Sequence, residues 1–159
     1  QLVVGATNST ALDHIRSRAN QICADLDVII LEAKSHDVLL ASDLALCASG
    51  TVTMECLFAR TPAVVAYKIS PITYSLMKAM VKVPFIAMPN ILAERELMPE
   101  FLQRKAQPRM LSEALENWRN SPQRIEEFGR RCREIHTTLR TDASARAATA
   151  ILEMVGCDA

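Results

Sequence analysis

The chain is short of aromatic residues and glycine, and it lacks acid altogether over one long stretch. Only 4% of its 159 residues are Phe, Trp or Tyr, and it holds four Gly and one Trp. So few glycines exclude a collagen-like chain, and a composition that is 50% hydrophobic excludes disorder. The five cysteines, Cys23, Cys47, Cys56, Cys132 and Cys157, are odd in number and contain no C-x-x-C pair. A disulfide scaffold and a metal knuckle are therefore not expected, and buried free thiols in a reducing compartment are the plain reading. No run approaches the ~18–20 uncharged apolar residues of a spanning helix. The N-terminus has no signal-peptide order; Gln1 opens directly onto a strand-like run, so the chain is expected to be a fragment lacking its N-terminal part.

The missing acid lies in the middle. Eighteen Lys+Arg balance eighteen Asp+Glu. Residues 1–55 carry seven acids and three bases, and residues 94–159 carry eleven of each. Residues 56–93 carry no acid and four bases, Arg60, Lys68, Lys78 and Lys82. Neutrality is a cancellation between unequal parts.

What is present alternates short apolar runs with helical stretches. Leu2–Ala6 reads as a strand, followed by a helix capped by Asn8 or Ser9 and running to about Ala24. Strands are expected at Asp27–Leu31, Asp43–Ala48 and Pro62–Tyr67, with helices at Ser35–Ser42 and from Thr51 to about Arg60. A fifth strand is expected at Phe85–Met88, ended by Pro89-Asn90. Strands that are apolar throughout suit a parallel sheet covered on both faces, and strand–helix alternation implies an α/β fold. Beyond Pro108 the pattern is helical. Ile125, Phe128, Cys132, Ile135 and Leu139 share one helical face, and Arg130, Arg131 and Arg133 fall near the opposite one as a solvated surface. Residues 142–155 form a last, Ala-rich helix.

The sharpest local feature is the turn Ser49-Gly50-Thr51 between a buried strand and a helix. Free N–H groups and the helix dipole make such a start an anion site, and Gly50 permits close approach. Glu55 lies one turn beyond Thr51, where a carboxylate repels phosphate but accepts ribose hydroxyls. Ser-Gly-Thr equally serves as a cap for any helix, and Glu55 can simply face water. The turn lacks the Gly-Lys-Ser/Thr of a Walker loop and has only one Gly of a dinucleotide fingerprint.

Within the acid-free block, Ile72, Leu76, Met77, Met80 and Val83 form an apolar helical stripe, with Lys78 and Lys82 at i,i+4 beside it. A cationic helix with such a stripe can lie on an anionic membrane or receive an acylated, phosphorylated substrate; it can also be core with its lysines reaching into water. Asn90, Arg95, Glu96, Glu100 and Gln103 then crowd the end of the expected fifth strand, where α/β folds place ligand contacts. Their amides and charges suit sugar hydroxyls, although a solvated loop has the same composition.

Ala48-Ser49-Gly50-Thr51 with Glu55, Pro62 to Tyr67, Pro89-Asn90-Ile91-Leu92-Ala93, Arg95-Glu96, and Pro99-Glu100 with Gln103 resemble the lipid-A-disaccharide synthase family. The turn and its Glu are shared more widely among two-domain GT-B glycosyltransferases. The resemblance implies a Rossmann-like parallel sheet flanked by helices, the C-terminal domain of a GT-B enzyme, with a helical C-terminal segment. Residues 1–107 would be the donor-binding domain, N-terminally truncated, and 108–159 the closing helices; the N-terminal acceptor domain, with the proposed catalytic carboxylate, would be absent. The implied reaction condenses UDP-2,3-diacylglucosamine with 2,3-diacylglucosamine 1-phosphate, giving lipid A disaccharide 1-phosphate and UDP. By resemblance Ser49, Gly50 and Thr51 would hold the diphosphate and Glu55 the ribose. Asn90, Arg95, Glu96 and Gln103 would line the donor-sugar side. Lys68, Lys78, Lys82, Ile72, Leu76 and Met80 would meet the membrane or the acylated substrate. No metal or other cofactor is implied. The implied setting is cytoplasmic, peripheral to the inner membrane of a Gram-negative bacterium, with a homodimer as one option and no nucleic acid. Glu94 stands where the family commonly has Gly, and Lys68 where Arg is usual. A UDP-sugar epimerase, another GT-B relative, or a non-catalytic α/β module binding a membrane or partner are the alternatives. The fragment alone is expected to lack transferase activity.

Overall fold

The computed structural model describes residues 1–22, 26–70, 73–74, 84–140 and 142–154. Strand β1 (Leu2–Ala6) leads through α1 (Ser9–Ile22) to β2 (Val28–Glu32), α2 (Ser35–Ala41), β3 (Ala45–Ala48), α3 (Thr51–Ala59) and β4 (Ala63–Tyr67). Helix α4 (Met88–Ala93) precedes β5 (Glu100–Leu102) and a 3-10 turn over Gln103–Lys105. Three helices close the chain, α5 (Pro108–Arg119), α6 (Pro122–Leu139) and α7 (Ala143–Met154). Asn8 caps α1, its Oδ1 accepting the Ala11 N–H at 2.8 Å.

Every strand pairing among the described residues is parallel. Strand β1 pairs with β2, Val3 opposite Ile29. A second sheet has the order β3-β4-β5, with Leu46 opposite Val64 and Tyr67 opposite Leu102. Among the described residues β1, β2, β3 and β5 each pair on one side only, and β4 alone has a neighbour on both. This is the expected α/β class, parallel strands with helices beside them and a helical C-terminal segment. Strand β4 is central, so Ala63, Val64 and Val65 are fully buried, whereas Leu46 on β3 remains 53% exposed. Helix α2 links the two sheets: Thr61 Oγ1 donates to the Leu39 carbonyl at 2.8 Å, and Ser35 Oγ donates to Glu55 at 3.0 Å.

The core joins Leu57, Val64, Val65 and Met98 to Trp118, Phe128 and Cys132 of the closing helices. Trp118 and Phe128 meet edge to face at 5.5 Å, and the Arg124 guanidinium lies 4.1 Å over the Trp118 ring. Large apolar side chains buried this way contribute roughly 1.5–3 kcal/mol each. Ile125, Phe128, Cys132 and Ile135 face the core as their spacing requires, while Leu139 at the end of α6 is exposed. Arg130 and Arg131 both pair with Glu134 on the outer face, at 2.6 and 2.5 Å. Cys47, Cys56 and Cys132 are free thiols. No described helix is long and apolar enough to cross a membrane.

The expected strand at Phe85–Met88 is corrected. Helix α4 begins at Met88 with Pro89 in its first turn, where a fixed φ and a missing N–H suit the helix start. The N–H groups of Ile86 and Ala87 are taken by the Glu100 carboxylate, at 2.9 Å each, instead of a strand ladder. The fifth strand is Glu100–Leu102, beside β4. Pro89 is a start signal here, and read as a stop it misplaces the strand.

Candidate functional site

Because β3, β4 and β5 are parallel neighbours, the residues that leave their carboxyl ends share one edge of the sheet. Those residues are Ser49-Gly50-Thr51 after β3, Lys68-Ile69 after β4 and Gln103 after β5. Ligands of open α/β sheets bind along this edge.

The turn after β3 is built on Gly50, whose φ of 152° and ψ of −160° are open essentially to glycine alone. Its carbonyl accepts both the Thr53 N–H, at 3.1 Å, and Thr53 Oγ1, at 2.7 Å, which starts α3. A Cβ added at Gly50 would meet nothing within 4 Å, so the space above the turn is open. Gly50 and Thr51 are exposed and Ser49 is half-buried. The first N–H groups of α3 have no carbonyl one turn back and point, with the helix dipole, out of this end. Glu55 is half-buried one turn further on, with one carboxylate oxygen engaged by Ser35 Oγ of α2.

A cavity of about 850 Å³ opens beyond β4 and β5. Its size falls in the ~300–1,000 Å³ range of small-molecule sites. Lys68 and Ile69 border it after β4, Pro84 and Phe85 before α4, and Glu100, Leu102 and Gln103 along β5. Glu96, Arg104 and Lys105 complete its charged lining, with Tyr74 beside them. The ion pairs among the described residues leave out Lys68, Arg104 and Lys105.

The residues singled out from the sequence fall at different depths. Glu96 and Gln103 line the cavity, and so does Lys68. Asn90 is fully buried, and its amide is engaged within the chain at every position. Its Nδ2 donates to the Met98 carbonyl and to Glu100, both at 2.7 Å, and its Oδ1 accepts the N–H of Leu97 at 2.8 Å and of Met98 at 2.7 Å. Arg95 is exposed and pairs with Glu127 of α6 at 2.9 Å. Glu94 caps α4 with a left-handed φ of 53°. The Gln103 amide pairs with both backbone groups of Ile69. The stripe of Ile72, Leu76 and Met80 and the lysines Lys78 and Lys82 lie outside the described residues. Arg104, Lys105 and Phe85 were not anticipated. Arg104-Lys105 could have been found by carrying the strand-end rule one turn past Gln103. Phe85 could not, because its place depends on the Glu100 carboxylate holding the backbone beside it. No group of three His, Cys, Asp or Glu able to hold a metal ion occurs among the described residues.

Comparison with known proteins gives a consistent picture. The profile of a family described as lipid-A-disaccharide synthetase matches residues 1–154. The chain is 39% identical over 153 residues to the lipid-A-disaccharide synthase of Cellvibrio japonicus, covering 96% of this chain and 40% of that protein. It is 37% identical over 154 residues to the one from Erwinia tasmaniensis, covering 97% of the chain and 40% of the relative. With the Azotobacter vinelandii protein of the same name it shares 46% over 134 residues, 82% of the chain and 33% of the relative. The chain thus spans 33–40% of the length of these relatives.

Proposed function

The chain belongs to the lipid-A-disaccharide synthase family, and from that premise we propose that the whole protein is a glycosyltransferase of lipid A biosynthesis to which these residues contribute the donor side. The donor is UDP-2,3-diacylglucosamine and the acceptor is 2,3-diacylglucosamine 1-phosphate. The acceptor 6-hydroxyl oxygen bonds to the anomeric carbon as the carbon–oxygen bond to UDP breaks on the opposite face. The hydroxyl proton passes to a carboxylate base in a part of the protein outside this chain. The configuration inverts, giving the β-1,6-linked disaccharide 1-phosphate and UDP.

The single observation that carries this reading is the shared sheet edge, with a glycine-built helix start after β3 and an amphipathic cavity beyond β4 and β5, whose lining does not include the turn itself. Ser49, Gly50 and Thr51 hold the diphosphate, with the α3 N–H groups stabilising the charge that grows on the leaving UDP. Glu55 accepts the ribose hydroxyls. Glu96 and Gln103 stand on the sugar side of the cavity, Arg95 is their sequence neighbour and is paired with Glu127, and buried Asn90 supports them through Glu100. Residues 1–107 form the donor unit, closed by the helices of 108–159. Lys68, with Lys78, Lys82, Ile72, Leu76 and Met80, meets the acyl chains or the inner-membrane surface from the cytoplasmic side, and two copies associate as a homodimer.

Titration of the whole protein with UDP tests the reading. Saturable binding is expected, with the Kd raised about tenfold or more by Glu55→Ala, the loss of one charge-assisted ribose contact. Absence of saturable UDP binding to the unmutated whole protein would sink it.

A further inference from the structure

We propose that Glu100 and Gln103 are positioning residues that fix the two walls of the cavity before any ligand arrives. The proposal rests on the cavity being the sugar side of the donor site, and it gives Gln103 a role exerted through the chain and not by touching the sugar.

The Gln103 side chain acts as a surrogate peptide group. Its Oε1 accepts the Ile69 N–H at 3.2 Å, and its Nε2 donates to the Ile69 carbonyl at 3.1 Å. Backbone pairing of β4 with β5 ends at Tyr67 opposite Leu102, so this amide prolongs the ladder beyond the strand. The main chain of Gln103 meanwhile turns away with a left-handed φ of 50°. A non-glycine residue held there persists only where its surroundings over-determine it, and such residues gather at functional sites. The reciprocal bonds to Ile69 supply that determination, and they place Lys68 and Ile69 along one side of the cavity.

Glu100 does the same for the other side. Its carboxylate accepts the N–H groups of Ile86 and Ala87, both at 2.9 Å, and Asn90 Nδ2 at 2.7 Å. Bonds to an ionised acceptor are stronger than neutral ones, and these hold the backbone next to Pro84 and Phe85. Both borders of the cavity are therefore moored to one three-residue strand, Ile69 through its exit residue and Ile86-Ala87 through its first. A cavity whose borders are held in advance loses less freedom when a ligand is bound.

The test uses the whole protein and the variants Gln103→Gly, Gln103→Glu, Glu100→Gln and Glu100→Ala. Gln103→Gly suits the left-handed backbone while deleting the amide, so it separates mooring from folding. Hydrogen exchange, read on peptides containing Ile69 and Ile86-Ala87, is paired with donor KM, kcat and the Kd of UDP. Gln103→Gly is expected to speed exchange at Ile69 about tenfold and raise donor KM severalfold, with kcat and the UDP Kd changed less than about twofold. Gln103→Glu, which keeps an acceptor for the Ile69 N–H, should fall between. Glu100→Gln should likewise fall between wild type and Glu100→Ala at Ile86-Ala87. A raised KM with unchanged exchange would mean direct sugar contact and overturn the proposal; faster exchange with unchanged KM would overturn it too. Failure of the glycosyltransferase reading is separately visible as unmutated protein that neither binds UDP nor turns over, while the exchange changes persist.

Discussion

Asn90 offers the most demanding check on how this site is built. Replacing it by Ala removes four hydrogen bonds of 2.7–2.8 Å from a residue with no exposed surface. The N–H groups of Leu97 and Met98 and the carbonyl of Met98 lose their partners, whereas Glu100 keeps Ile86 and Ala87. Each orphaned buried group costs about 1–3 kcal/mol, and a water entering the vacated volume recovers part, so a loss of roughly 3–5 kcal/mol is expected. That is a large share of the ~5–15 kcal/mol of an ordinary domain. Asn90→Asp is the sharper companion. It keeps an acceptor for the two N–H groups, deletes both donors, and sets a new carboxylate against the Glu100 oxygen now 2.7 Å from Nδ2. Like charge and burial raise the pKa of the new carboxyl in the folded state, so the folded form binds the extra proton. Its stability deficit should therefore grow as pH rises through that raised pKa and shrink toward acid. Urea denaturation of the whole protein at neutral and mildly acidic pH, compared with wild type at each pH, reads both effects. A loss under about 1 kcal/mol for Asn90→Ala, or an Asn90→Asp deficit independent of pH, would refute the account.

Gly50→Ala meets no steric neighbour, so its cost is backbone strain of about 1–3 kcal/mol, with weaker UDP binding; equal melting of variant and wild type would contradict the assigned φ. Glu94→Gly relieves a left-handed cap and is expected to stabilise by up to about 1 kcal/mol, measurable by the same denaturation. Burial pushes the Cys132 thiol up to about 12, against the milder opposing pull of Arg60 and Arg133. The folded state thus keeps a proton that the unfolded chain releases near pH 9, so this contribution to stability is complete below that pH and is lost as pH rises toward 12. Alkylation at pH 8.5 should spare Cys132 until the protein unfolds; fast labelling of the folded form would contradict the burial.

The parallel α/β fold could be read from the sequence because strands such as Ala63–Tyr67 are apolar throughout, and because β1, β2 and β3 alternate with the helices α1, α2 and α3. The Ser-Gly-Thr turn was legible for a related reason, an apolar strand meeting one glycine and a hydroxyl pair, although that strand is an edge with no fully buried residue and not the buried strand its composition suggests. Even Glu94 was visible as a residue standing in a glycine's place, and its left-handed backbone gives the physical meaning of that substitution. The fifth strand was not legible. Phe85-Ile86-Ala87-Met88 has the apolar character of a strand, but its backbone donors are claimed by Glu100, fourteen residues from Ile86. Asn90 and Gln103 were recognisable as unusual polar residues near a strand end. That both spend their amides on distant backbone depends on tertiary contacts, for which sequence spacing has no signal.

The one-sided pairing of β1 and β3 bears on how the chain behaves when expressed by itself. A strand edge exposes a row of unmatched N–H and C=O groups, and soluble proteins blunt such edges with charge, proline or a bulge. Leu2–Ala6 and Ala45–Ala48 contain none of the charged residues or prolines that would serve, and Leu2 and Leu46 stand half-exposed on them. Among the described residues these two are the edge strips without charge, while the edges β2 and β5 each contain a Glu, so edge-to-edge association is the expected behaviour of the chain expressed by itself, whatever its balanced net charge. A single lysine placed on either strip would then do more for solubility than many placed elsewhere.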